Sequence, residues 1–356
     1  MNRSRYWAFL FALALLATAL VWLGGQQRVS AGTVQPDRSS LTLIPVQATS
    51  LFGLDLDALR ATAVYAVWQQ RNSVRTHDPG YDEFLARTGF DIERDLAAVL
   101  SAAWNNGAQP AFLAVATARY DPAAVSAFLK EKGAAVETYG GVELLAPDGR
   151  HTRPGQDYLA LVLQLPDRPN TILAGTSSAV KQALDLRAYP AFSVLNNQAL
   201  LGLAQKIGAE NQAWAVSLAP GAILPQRLPQ APGPAAAVQA NIMRILQGLQ
   251  ASTFAAGATN GLRLLAEGAC ASAEDAQTLA DAARGLLAML RLMAPANQPQ
   301  VIELLNSFRI DQQQSKVTLT AIISPQLLQE LAQKPDLLLP HSHSHAHPQT
   351  QSRPRR

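Results

Sequence analysis

The sequence predicts an α+β protein of antiparallel sheets with helices on one face, built as two halves of similar element order. Three observations carry this. Pairs of apolar runs flank Asn-Gly or Gly-Gly dipeptides, which favour tight reversals and therefore hairpins. Helical stretches carry clear start and stop residues. The order hairpin, capped helix, strand pair, helix occurs twice, at about 90–187 and about 251–333. Elements in this order pack most simply as antiparallel sheets with helices on one face, a single continuous sheet through both halves being the open alternative.

In chain order, a polar spacer at 32–40 precedes "LTLIPVQAT", read as a strand ending near Pro45. "DLDALRATAVYAVWQQ" places Leu56, Leu59, Ala63 and Val67 at helical spacing, with Asp55 or Asp57 at its start. After a loop containing His77, Pro79 and Gly80, "YDEFLARTG" reads as a short helix closed by Gly89. The run 90–120 reads as a hairpin about "NNGAQP", followed by a helix that Asp121 caps, Pro122 opens and Gly133 ends. A second hairpin turns at Gly140-Gly141. "YLALVLQLP" and "NTILAGT" form a strand pair, and "SSAVKQALDLR" is the next helix.

The second half opens with the strand "AWAVSLAP", followed by a Pro-rich insertion at about 219–234 and the helical "VQANIMRILQGLQ". Apolar runs about Asn260-Gly261 form its hairpin. The helix "SAEDAQTLADAARGLLAMLRLMA" has Ser272 as cap and Asp275 three residues on, close to a capping box. "FRIDQQQSKVTLTAIIS" gives two strands and "PQLLQELAQK" a closing helix. The segments are thus 1–31, the spacer 32–40, halves at 41–208 and 209–334, and a tail at 335–356.

With 48% hydrophobic and 15% charged residues, the chain can fill a sizeable core. Its net charge of +3 comes from the ends. Residues 1–31 contain Arg3, Arg5 and Arg28 and no acid, and the tail ends in Arg353, Arg355 and Arg356. The body between is slightly acidic, which argues against a nucleic-acid surface.

"MNRSR" followed by the uncharged "YWAFLFALALLATALVWLGG" is an export signal. Two outcomes stand. Cleavage before Gly32 would follow small residues at Val29 and Ala31, whereas Tyr6 to Leu23 is long enough to remain as a tilted membrane anchor. Either way the later residues are exported, to a periplasmic or other extracytoplasmic site. Cys270 is the only cysteine, so no intramolecular disulfide can form; it reads as a small buried residue.

The chain lacks a G-x-S-x-G elbow and a glycine-rich phosphate loop. Outside the tail its histidines are His77 and His151, both in polar stretches. "GFDIERDL" gathers Asp91, Glu93, Arg94 and Asp95; an acid pair or cation site is one reading, and a capped turn with a local ion pair is the preferred one. An enzyme would need a cleft joining Asp91, Arg94, Asp95 or His151.

"IPVQATSLFGLDLDALRATAVY", then "TGFDIERDLAAVL" and "LAVATARYDPAAVSAFL", resembles a group of exported bacterial proteins of unknown function. The shared features are a Pro-containing opening strand, a "GFD…D" turn and a strand leading to a "DP" helix start. The resemblance spans about 43–190 and implies structure rather than an activity.

The tail places His341, His343, His345 and His347 on alternate positions, so an extended chain presents four imidazoles on one side. Such a tract binds zinc, nickel or copper weakly, whether adventitiously or by selection. No cofactor is otherwise expected. The expected function is that of a non-enzymatic envelope module binding a protein or small ligand, with metal handling by the tail as the alternative and an unrecognised enzyme third. No nucleic acid is expected as partner, and a membrane only through an uncleaved N-terminal segment. "LLAMLRLMA" is read as core, with the lining of a groove as its alternative.

Overall fold

A computed structural model describes residues 37–72, 78–107, 109–147, 157–218, 220, 248–294 and 297–333. Residues 1–36, the Pro-rich insertion, "VQANIMRILQ", His77, His151 and the tail lie outside them.

The class is α+β: twelve strands form one antiparallel sheet, carrying eleven α-helices among the described residues. Its first half comprises β1 (Ser50–Asp55), the hairpin β2 (Leu96–Asn106) and β3 (Gln109–Ala118), β4 (Ala135–Tyr139), β5 (Val142–Ala146), β6 (Leu159–Val162) and β7 (Thr171–Thr176). Its second comprises β8 (Ala213–Ser217), β9 (Ala251–Gly257), β10 (Leu262–Ala269), β11 (Arg309–Gln313) and β12 (Lys316–Ile323). The spatial order is β11-β12-β10-β9-β8-β1-β2-β3-β7-β6-β5-β4. From the central β1–β8 pair, each half therefore runs outward through a hairpin and then a returning strand. The first half adds β4 and β5 at its edge.

The turns follow their residues. Gly107, Gly140, Gly141 and Gly261 all have positive φ, between 56° and 83°. At the junction, Gly53 pairs with Trp214, whose indole lies so close that a Cβ on Gly53 would sit 2.2 Å from it. Beside it the Ser50 and Ser217 hydroxyls share a buried hydrogen bond of 2.8 Å across the same pair.

The helices are α1 (Arg38–Leu41), α2 (Leu56–Arg60), α3 (Ala63–Asn72), α4 (Pro79–Thr88), α5 (Ile92–Asp95), α6 (Pro122–Glu131), α7 (Ser177–Leu186), α8 (Gln198–Ala204), α9 (Ala273–Met293), α10 (Pro299–Ser307) and α11 (Pro325–Gln333). Phe84 of α4, Ile92 of α5 and Val125 and Phe128 of α6 pack on the face of the sheet that bears Ala116 and Ala174. Register carries the same face to Phe254, Leu264 and Val317, where α9, α10 and α11 sit. The opposite face of the first half buries Ala179, Val180 and Ala183 of α7 and Leu200 of α8 against Leu113, Val162 and Leu173. Helices thus cover both faces of the first half. In the second half, α9, α10 and α11 share one face.

Two local readings are corrected. "LTLIPVQAT" is not a strand: Asp37 caps α1, and Leu41, Leu43 and Ile44 are all buried in a run of turns. Its backbone bonds go to another loop, with Val194 N–H donating to Ile44 O at 2.7 Å and Val46 N–H to Phe192 O at 2.8 Å. With those bonds made to 192–194 rather than to a neighbouring strand ladder, the strand falls instead at Ser50–Asp55. "DLDALRATAVYAVWQQ" is two helices rather than one. The Thr62 hydroxyl bonds Leu59 O and accepts from Tyr65 N–H, restarting the helix after a break.

Candidate functional site

The "GFDIERDL" turn is a clamp between elements. Asp91 caps α5, its Oδ1 accepting from Glu93 N–H at 3.0 Å and from the Tyr81 hydroxyl at 3.1 Å. Asp95 accepts from Asp91 N–H at 2.9 Å and from Arg94 Nε and Nη2 at 2.8 and 2.6 Å. Arg60 of α2 reaches across, donating to Glu93 O at 2.8 Å, Leu96 O at 2.6 Å and Asp57 at 2.7 Å. Arg119, just past β3, grips Asp57 at 3.2 and 3.3 Å.

This geometry sets the chemistry. The Arg94 guanidinium bonded to Asp95 holds that carboxyl below the usual carboxylate range, and Arg119 does the same for Asp57. Carboxylates held ionised in this way have no proton to donate near neutral pH and make weak bases. Asp91, Arg94 and Asp95 do meet, then, but as a cap and an ion pair; His151 lies outside the described residues. On the other face, Glu137 of β4 accepts from the Tyr158 hydroxyl and pairs with Lys181 of α7 at 2.6 Å, fastening that helix to the edge strand.

Cys270 sits between β10 and α9 and is buried. Burial, and secondarily the charge of Asp275, pushes its thiol up, so the reactive thiolate is disfavoured. Among the described residues, no group of three or more His, Cys, Asp or Glu is placed to hold a metal ion. His341, His343, His345 and His347 lie outside those residues.

The feature that stands out is apolar. α9 begins as expected, with the Ser272 hydroxyl accepting from Asp275 N–H at 3.0 Å. Its first turns bury Ala276, Leu279 and Ala280 on the sheet. Past Gly285, which has open space where a Cβ would stand, the burial stops. "LLAMLRLM" is therefore not core: Leu286, Leu287, Met289 and Leu290 are half-buried, and Leu292 is 87% exposed. α10 turns back beside it with no buried residue, leaving Val301, Ile302, Leu304 and Leu305 half-covered. Arg291 ties the two helices, donating to Leu305 O at 3.0 Å. Sequence reasoning missed α10, although Pro299 at a helix start followed by Val301, Ile302, Leu304 and Leu305 was a usable signal.

No described helix is long and apolar enough to cross a membrane. No protein-family model matches the chain, and no curated protein matches it. Among solved structures, crystal form I of TP0453 is similar with a TM-score of 0.39 at 9% identity, over 86% of this chain and 98% of that one. Crystal form III of TP0453 gives 0.41 at 14% identity, over 85% and 99%. Similarity of that degree carries no argument about function.

Proposed function

We propose that the chain is an exported, non-enzymatic module of the cell envelope that holds a protein or apolar ligand against the second half of α9 and α10. The observation that carries this reading is that Leu286–Leu292, past Gly285, are apolar but for Arg291, yet none of them is buried. A helix that needed only to cover the sheet would end there, yet about two further turns, mostly apolar, follow, braced by α10 and Arg291. Contiguous half-exposed apolar residues on a folded surface mark interaction sites. The commitment of Asp57, Asp91 and Asp95 to caps and ion pairs supports a binding role over a catalytic one.

A photo-crosslinking residue in place of Leu292, in cells exporting the full chain, tests the reading. A discrete adduct from position 292, absent from position 278 on the polar first half of the same helix, is expected. Mass analysis then separates a protein from a small apolar molecule. Failure of positions 290, 292 and 301 alike to give an adduct would overturn it. The tail is tested separately, by calorimetric titration of zinc, nickel and copper into the chain with and without residues 341–356. Tight binding that leaves with the tail would put metal handling first.

A further inference from the structure

The turn between α7 and α8 reverses the usual order of burial. Ala188, Tyr189, Pro190, Ala191 and Phe192 are five consecutive exposed, uncharged residues, and both aromatic side chains are 64% exposed. The next residue, Ser193, is fully buried, with its hydroxyl unpartnered. A chain minimising apolar exposure would place these the other way round.

The turn is also held firmly. Tyr189 N–H donates to Leu186 O, Phe192 N–H to Tyr189 O and Ser193 N–H to Pro190 O, each at 3.1 Å. Asn196 Nδ2 donates to Ala191 O at 2.7 Å, and Phe192 O accepts from Val46 N–H at 2.8 Å. The two rings therefore project from a braced support. Val46 and Ile44, which brace it, belong to the first described stretch of the chain, a few residues after Asp37. The apolar run Tyr6–Leu23 is separated from Asp37 by residues 24–36, whose covalent reach is at most ~45 Å.

We propose that the Tyr189–Phe192 turn docks in the bilayer interface, close to where the apolar N-terminal segment enters the membrane. This rests on the reading of that segment as an uncleaved membrane anchor. Tyr and Phe beside Pro suit the headgroup level, where an apolar ring body and a polar tip are both accommodated. Two aromatic residues offer far less than the roughly 1,000 Å² that a stable protein interface needs. They are enough to orient a fold already tethered nearby, because the tether makes docking an intramolecular event. α9 and α10 lie on the other face of the sheet from α7 and α8, which leaves the proposed binding face turned away from the bilayer.

The experiment uses the full chain reconstituted into vesicles of phosphatidylethanolamine and phosphatidylglycerol. A nitroxide is attached through Ala191→Cys, or through Asn106→Cys at the exposed end of the β2–β3 hairpin; Cys270 is buried and takes no label. Collision with dissolved oxygen and with a water-soluble nickel complex reports depth. At position 191, nickel accessibility several-fold below that at 106 is expected, with water-like values restored by Tyr189→Ser plus Phe192→Ser. Equal accessibility at the two positions overturns the docking, as does protection that persists without lipid and grows with protein concentration, which would mean a second copy. Flotation with the vesicles reads the tether: a chain that does not float sinks the anchor reading and the docking together. A floating chain with a water-exposed 191 sinks the docking alone.

Discussion

Helices α6 and α9 occupy matching places, each following the hairpin beside the central strands, and they differ in one respect. α6 spans Pro122–Glu131 and seats Val125 and Phe128 in the core before Lys132 and Gly133 close it. α9 spans Ala273–Met293, and its second half seats nothing in the core. Where the first half follows its helix with β4 and β5, the second follows with α10. The sheet needs about three helical turns at that place. The remainder of α9 is apolar surface that seats nothing in the core, and it is the surface that the proposed binding role would use.

That contrast predicts unequal costs for truncating apolar side chains. Phe128 meets the Phe84 ring edge-on at 5.4 Å, with Lys132 Nζ 5.3 Å above its centroid. Phe128→Ala should cost about 3–5 kcal/mol, read as a lower denaturant midpoint. A cost below 1 kcal/mol would mean that α6 is no better seated than the end of α9.

The next effect concerns the junction. Gly53→Ala would force its Cβ into the Trp214 indole, which is buried between the halves. A cost of about 1–3 kcal/mol is expected. Because β1 and β8 belong to one sheet, hydrogen-exchange protection should fall together in β3 and β10. Loss in one half alone would show that the halves are energetically separate.

How far such features could be read in advance depended on whether their causes were local. The hairpins at Gly107, Gly140 and Gly261 and the caps at Asp121 and Ser272 are dictated by residues within a few positions, and all lay open in the sequence. β1 did not, because Gly53 weakens a strand pattern and is explained only by Trp214, far along the chain and directly opposite in space. The turns at 41–48 are fixed by bonds to 192–194, again a distant cause. "GFDIERDL" was legible as a capped turn, but its clamping by Arg60 and Arg119 was not. The exposure of "LLAMLRLMA" was hidden for a related reason: an apolar helical stripe is the same string whether a sheet covers it or nothing does.

Smaller still is the clamp itself. Asp95→Ala strands the Asp91 N–H and should cost about 1–2 kcal/mol near neutral pH. Since Arg94 depresses the carboxyl of Asp95 in the folded state, its contribution is present above the ordinary carboxylate range and lost as pH falls through the lowered folded value. The gap between the thermal melts of the two proteins should therefore begin to narrow as pH falls below about 4 and close only beneath that lowered value. A gap that widens in acid would refute the assignment of Asp95 as an ionised partner.

The smallest stability effect is the one that bears most on function. Leu292→Asp alters a side chain that is 87% exposed, at the end of a helix whose sheet contacts lie several turns away. Its cost to folding should stay within about 0.5 kcal/mol, the range of ordinary surface changes. A charge at position 292, one turn past Met289, should nevertheless abolish the crosslink from a photo-reactive group at position 301. Any apolar partner would have to desolvate that carboxylate to bind. If Leu292→Asp instead lowers the melting temperature as much as Phe128→Ala does, α9 is core along its whole length and the contrast with α6 disappears. Unchanged stability with the crosslink intact would show that the partner touching position 301 does not reach Leu292. Unchanged stability with the crosslink lost would separate the part of α9 that folds the sheet from the part that binds.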